Sequence, residues 1–377
     1  MHINRQISQQ IKRDILSSNK AVIIYGPRQV GKTTLANKLL DELNLDDLRI
    51  NAEQTKYQDI LSSQDVKKLK TLIGDHQLLF IDEARSIQNI GINLKLIHDH
   101  IPHLKVLVTG SSSFDLANKV SEPLTGRSWK YNLFPIAYSE LSKIHSKFDL
   151  TDQLEERLIF GSYPQVITLN SYEKKQRYLQ QLTEAYLFKD IFNFANIKHH
   201  SKIKQLLKLI AFQVGSEVSV HELANKLNIS RDAVNNYLNL LEKSFVIFRL
   251  SGFSRNLRKE VSKMDKIFFY DLGVRNTIID NFNLLNSRQD IGPLWENFLI
   301  AERLKKNSYG RHYCSSYFWR LHSGAEIDYL EEYGGGLHGY EFKWSNKKIN
   351  APKSWQETYP NSKFKLINRD NYLDLVI

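Results

Sequence analysis

"YGPRQVGKTTL", residues 25–35, follows the apolar run "AVII" and opens a stretch with helical spacing. Gly26 to Thr33 fits G-x-x-x-x-G-K-[ST] without a gap. The spacing has a physical reason. Glycines let the backbone curl until its N–H groups converge on phosphate oxygens. A helix beginning near Lys32 adds the positive end of its dipole. On this reading the cradle runs through Gly26, Pro27, Arg28, Gln29, Val30, Gly31, Lys32, Thr33 and Thr34. Lys32 bridges the β- and γ-phosphates, the Thr33 hydroxyl holds Mg²⁺, and Thr34 adds a phosphate contact. The competing reading is a chance glycine-rich turn, and the order strand, loop, helix weighs against it.

A phosphate loop needs a second strand that carries a carboxylate for the metal. "HQLLFIDEARSI", residues 76–87, supplies it. Asp82 at the strand end can hold the Mg²⁺ shell, and Glu83 is placed to polarise the attacking water. "LKVLVTGSSSFDL", residues 104–116, reads as a third buried strand, after which Ser111 or Ser112 could sense the γ-phosphate or belong to a hydroxyl-rich turn. Arg127, in "LTGRSW", could neutralise transition-state charge in cis or from a neighbouring subunit, or it could be an ordinary salt-bridge arginine. Three buried strands alternating with helical stretches imply a parallel sheet wrapped by helices, with ligand at the carboxyl ends of the strands.

The whole chain has 377 residues, enough for two to three domains, and its 42% hydrophobic and 25% charged residues describe a globular protein. A formal net charge of +11 favours acidic partners, nucleic acid first among them, or simply a well-solvated basic surface. Cys314 is the only cysteine, so no intramolecular disulfide can form. No signal-peptide core or bilayer-length apolar run is present, and the expected location is cytoplasmic, with no membrane partner.

"VSVHELANKLNISRDAVNNYLNLLEKSFVIFRL", residues 218–250, reads as a short helix capped by Ser219 and Glu222, a tight "NIS" connection, and a second helix capped by Ser230. With "FVIFRL" and "KIFFYD" as strands, this is the order of a winged helix-turn-helix. Such a module binds DNA or packs against other domains, and both uses stay open. Arg231, Asn235, Asn236 and Asn239 lie on the second helix, and Arg255, Arg258, Lys259 and Lys263 lie between the strands.

Residues 276–377 read as α-β-β-β-α-β. Asp328 falls on the second of these strands; Glu341 and Lys343 are two apart on the third and share a face. Two carboxylates on adjacent strands can bind Mg²⁺, and a lysine beside them can activate water. Glu296 on the preceding helix could add a metal contact. The competing reading is a strand face with cross-strand ion pairs.

With "GPRQVGKTT", "LLFIDEA", "VTGSSS", "FYDLGVRN", "WEN", "AEIDYL" and "YEFKWS" in place, the chain resembles a large family of bacterial and archaeal AAA-type P-loop ATPases. These carry a winged helix and a C-terminal domain of unknown function like the PD-(D/E)XK nucleases. The resemblance implies an α/β fold with a P-loop NTPase, AAA+-like parallel sheet over 1–145, a helical lid or linker over 146–205, a winged helix over 206–275, and a small restriction-endonuclease-like α/β domain over 276–377. It implies ATP and Mg²⁺ at Gly26–Thr34 with Asp82 and Glu83, Arg127 as a finger, and a nuclease-like site at Glu296, Asp328, Glu341 and Lys343. Nucleic acid, DNA above all, and further copies of the chain are the expected partners. One departure is Arg85, where a polar, uncharged residue is expected. Two functional readings remain: an ATPase coupled to nucleic-acid binding or processing, or a nucleotide-dependent assembly switch whose nuclease-like domain is an inactive scaffold.

Overall fold

The computed structural model describes residues 3–110, 124–187, 200–255 and 264–377. The chain forms two compact units. One comprises residues up to Phe134 together with Lys243–Phe245; the other comprises Pro135–Glu242 and Val246–Ile377.

The first unit holds a five-stranded, all-parallel sheet of β1 Ala21–Tyr25, β2 Asp47–Asn51, β3 Leu78–Asp82, β4 Lys105–Gly110 and β5 Ser128–Asn132, in the order β2-β3-β4-β1-β5. Hydrophobic pattern sets position in the sheet. β1 is buried along its whole length and β3 along all but Asp82, as strands covered on both faces must be. The outer strands β2 and β5 each bury a single residue, Ile50 and Tyr131. The helix Lys32–Leu43 turns Leu35, Ala36, Leu39 and Leu40 inward, an apolar stripe at helical spacing. It stops at Asn44, whose left-handed φ of 49° closes the last turn through its N–H to Leu40 O.

The second unit holds β6 Glu217–Val218, β7 Ile247–Gly252, β8 Asp265–Phe269, β9 Ser315–Arg320, β10 Glu326–Tyr333, β11 Gly336–Phe342 and β12 Lys363–Ile367. They form one sheet in the order β12-β11-β10-β9-β7-β8-β6. The strands expected as a wing, β7 and β8, are an antiparallel pair, and β7 runs parallel to β9 through Ser251–Tyr317 and Gly252–Phe318. The sheet is therefore continuous across residue 275, where the sequence suggested a boundary. The "YGGG" hairpin forms between β10 and β11, with Gly334 and Gly335 at φ 57° and 75°, the two positive values that a tight two-residue turn requires. Trp319, Ile327, Leu330 and Trp355 fill the core on one side of this sheet, the two indoles meeting edge to face at 5.0 Å.

The two helices expected between 218 and 243 are Val220–Leu227 and Arg231–Lys243. Ser219 Oγ accepts the Glu222 N–H at 3.3 Å, and Ser230 Oγ accepts the Ala233 N–H at 3.1 Å, so both caps form. The carboxylate of Glu222 takes Lys226 at 2.6 Å, one turn further along.

Candidate nucleotide site and carboxylate cluster

The loop between β1 and the helix at Lys32 is shaped by close backbone approach. Gly26 has φ 159°, and a Cβ there would stand 2.2 Å from Leu133 O, a backbone atom that cannot move aside. Gly31, at φ 93°, caps the helix. Gln29 also lies in the left-handed region, at φ 62°. Val30 is fully buried, and Arg5 donates to its carbonyl at 2.8 Å and to Phe134 O at 2.6 Å, which fixes the loop to the start of the chain and to the segment after β5. Pro27 is buried, Arg28 partly buried, and Thr33 and Thr34 are exposed at the first turn.

Lys32 is only 5% exposed, and its amine donates to Gly26 O and Pro27 O at 3.0 Å each. A lysine ammonium is buried this deeply only among acceptors. Thr33 Oγ1 donates to Asp82, 2.9 Å from Oδ2 and 3.1 Å from Oδ1. Thr109, fully buried at the end of β4, donates to Asp82 Oδ1 and accepts the Glu83 N–H at 3.2 Å. Sequence reasoning gave Thr109 no role. Its signal was a hydroxyl at the carboxyl end of the strand that pairs with β3. Glu83 has φ 52° and its Oε2 lies 3.2 Å from Arg85 Nε. The structure thus brings together Gly26–Thr34, Asp82 and Glu83 at the carboxyl edge of the sheet. Ser111 lies outside the described residues.

Arg127 is elsewhere. Its carbonyl accepts the Ala21 N–H at 3.0 Å, at the amino end of β1, and its Nε lies 3.1 Å from Asp99 Oδ1. Five residues of β1 separate it from the phosphate loop, about 16 Å at 3.3 Å per residue. This geometry does not bring Arg127 to the loop of its own chain.

In the second unit, Asp328 lies at a β-bulge. Ile327 pairs with Trp319 but Leu330 with Tyr317, so β10 carries one extra residue there. Asp328 Oδ2 accepts the Phe342 N–H at 2.7 Å. Glu341 Oε1 lies 2.7 Å from Lys343 Nζ. Glu296 Oε1 lies 3.0 Å from Lys266 Nζ, which also reaches Glu326 Oε1 at 2.6 Å. Burial raises the Glu296 carboxyl, Lys266 opposes it and Asp328 adds like charge, leaving it at about 8. Burial also raises Asp328 and Glu341. Burial lowers Lys266, but Glu296 and Glu326 outweigh it and hold the amine charged. Lys266 was missed in the sequence. Its signal was a lysine at the head of the buried run "KIFF".

Of the three carboxylates expected to hold a metal, Glu296 and Glu341 each pair with a lysine through one oxygen, and Asp328 accepts a backbone N–H through one. Among the described residues, the three-ligand group whose atoms come within 4.8 Å of one another is His312, Cys314 and Glu331. There Arg303 takes both oxygens of Glu331, at 2.8 and 2.7 Å. That buried carboxylate is the counter-ion of a partly buried arginine.

Comparisons with known proteins bear on each part. Residues 18–142 match a family model described as an AAA domain; residues 151–285 and 291–373 match two domains of unknown function, DUF8612 and DUF4143. An uncharacterized protein of Methanocaldococcus jannaschii is 26% identical over 342 residues, covering 85% of this chain and 74% of its own length. An uncharacterized protein of Mycobacterium tuberculosis is 26% identical over 350 residues, covering 91% and 74%. Among solved structures, a Walker-type ATPase of Pyrococcus abyssi aligns with a TM-score of 0.50 at 13% identity, over 73% of this chain and 95% of that one. The AAA-domain match and this shared fold support an AAA-type P-loop ATPase. Such a fold implies nucleotide binding. No helix among the described residues is long and apolar enough to cross a membrane.

Proposed function

We propose that the protein binds ATP at Gly26–Thr34 and hydrolyses it in a Mg²⁺-dependent reaction coupled to nucleic-acid binding or processing. The observation that carries the reading is the Thr33–Asp82 contact of 2.9 Å beside the buried Lys32. A hydroxyl and a carboxylate at this spacing are hard oxygen donors of the kind Mg²⁺ takes. Bound there, Mg²⁺ would neutralise charge on the phosphates. The backbone N–H groups of the loop orient the phosphates, and Lys32 leaves its two carbonyl partners to pair with them. Thr109 fixes Asp82 from behind, and Glu83 accepts the proton of the attacking water. Lys32→Ala should abolish ATP binding, and Glu83→Gln should keep binding and lose turnover. Hydrolysis by Glu83→Gln at the wild-type rate would overturn the assignment of Glu83.

Nucleic-acid coupling draws support from the net charge of +11 and from the helix pair Val220–Leu227 and Arg231–Lys243, read as a winged helix. Arg231, Asn235 and Asn236 are exposed on its second helix. Arg255 is 58% exposed and ion-paired to Glu332, while Arg258, Lys259 and Lys263 lie outside the described residues. Mobility shifts with DNA and RNA should weaken steeply as salt rises, because neutralised phosphates release counter-ions. No shift at low salt with any nucleic acid would remove this half of the proposal.

One observation favours the second reading, a nucleotide-dependent switch with a nuclease-like domain that serves as scaffold. The Lys266–Glu296 and Lys343–Glu341 pairs supply internally the positive charge that a nuclease metal would bring.

A further inference from the structure

Arg85 stands two residues beyond Glu83, in the tight 3-10 turn Ala84–Ser86 that ends β3. The turn has little freedom. Ala84 and Ile87 are fully buried, and the Glu83 N–H is tied to Thr109 Oγ1. Glu83 itself adopts φ 52°, a left-handed conformation uncommon for a residue with a side chain. That twist folds the chain back, so that the Arg85 guanidinium comes alongside the Glu83 carboxylate, Nε to Oε2 at 3.2 Å. The side chains are 15% and 21% exposed, and Oε2 itself is out of solvent. Solvent therefore reaches Glu83 through other atoms than Oε2. A pair this far from bulk water is screened less than a surface ion pair.

We infer that Arg85 is a positioning residue for Glu83, anchoring one carboxylate oxygen so that the remainder of the group is held toward the attacking water. The inference rests on the reading of Glu83 given above and adds to it a residue that the phosphate-loop pattern does not contain. One consequence follows from the geometry. Anchoring limits the rotamers of a flexible side chain, which raises the fraction of time in a reactive pose.

The test uses the full chain as wild type, Glu83→Gln, Arg85→Gln and Arg85→Lys. Phosphate release is measured against ATP concentration, alongside affinity for a non-hydrolysable ATP analogue. Arg85→Gln should lower kcat by about tenfold or more while KM and analogue affinity stay within about twofold. Arg85→Lys should recover most of the rate. An unchanged or raised kcat in Arg85→Gln overturns the inference, the raised value meaning that Arg85 restrains Glu83. Loss of analogue affinity in step with rate overturns it too, since that marks a structural role. Wild-type turnover that survives Glu83→Gln defeats the reading of Glu83 first, and the assignment of Arg85 with it. Wild-type protein that binds the analogue but never turns over ATP has the same effect.

Discussion

Thr33 Oγ1 and Asp82 Oδ2 lie 2.9 Å apart, which ties the first turn of the helix Lys32–Leu43 to the end of β3. The contact joins residues 49 positions apart in the chain. Asp82→Asn keeps the shape and removes the charge. Analogue affinity measured with Mg²⁺ should fall to the value measured with chelator, and hydrolysis should drop by about 100-fold or more, on the order of 3 kcal/mol of transition-state stabilisation. Turnover close to wild type in Asp82→Asn would show that the metal carboxylate lies elsewhere.

Arg127 sits at the opposite edge of the sheet, held by Asp99. Arg127→Ala should therefore leave ATP-analogue affinity unchanged. If Arg127 serves the site of a neighbouring copy, turnover lost in Arg127→Ala returns when that variant is mixed with Lys32→Ala, since each supplies what the other lacks. Full activity of Arg127→Ala by itself reduces the residue to its ion pair with Asp99.

The sequence made the first unit readable for a physical reason. Its buried strands are continuous apolar runs, and the phosphate loop needs glycines at fixed spacing because backbone approach, as between Gly26 and Leu133 O, admits no Cβ. Pairings between distant strands were not readable. β7 parallel to β9 joins segments that the sequence divides between two domains, and no local pattern records such a contact. The bulge at Asp328 is a further case, because one extra residue changes what the side chain faces while the alternation of residue types looks regular. Arg85 was visible only as a departure, and its pairing with Glu83 depends on a left-handed backbone that the residue types do not announce.

Asp290 carries a pH dependence whose sign is set by its partners. Burial raises its carboxyl, but hydrogen bonds from Arg288 and Arg275 outweigh that and hold it at about 2, below the ordinary 3.8. Arg275 Nη1 is 2.5 Å from it and Arg288 Nε 2.8 Å. A depressed carboxyl stabilises the folded state above its unfolded pKa, and that stability is lost as pH falls from about 4 to about 2. The contribution is on the order of 2 kcal/mol at neutral pH. Urea unfolding of wild type and Asp290→Asn at pH 6 and pH 3 should give a difference that shrinks at the lower pH. An equal difference at both would show that the pair contributes through packing alone.

Lys266 makes the last prediction, and it separates the two functional readings. Its ammonium, 4% exposed, lies between Glu296 and Glu326, with Asp328 near enough to raise its pKa further. Lys266→Met keeps most of the volume and removes the charge. The carboxylates then lose their counter-ion, a loss that for buried pairs costs about 3–5 kcal/mol. They can recover by taking up protons, so the variant's stability should fall more steeply as pH rises from about 5 to about 8 than that of wild type, where the raised Glu296 carboxyl already gives a decline of the same sign. They can also recover by binding a divalent cation. Millimolar Mn²⁺ should raise the melting temperature of Lys266→Met at pH 8 and leave wild type unmoved, because in wild type the lysines already occupy the carboxylates. Under the scaffold reading, no nucleic acid is cut by either protein. Mn²⁺ stabilisation of wild type, with cleavage that Lys343→Ala stops, would show instead that Lys266 yields its partners to a metal and that the cluster is a working nuclease site.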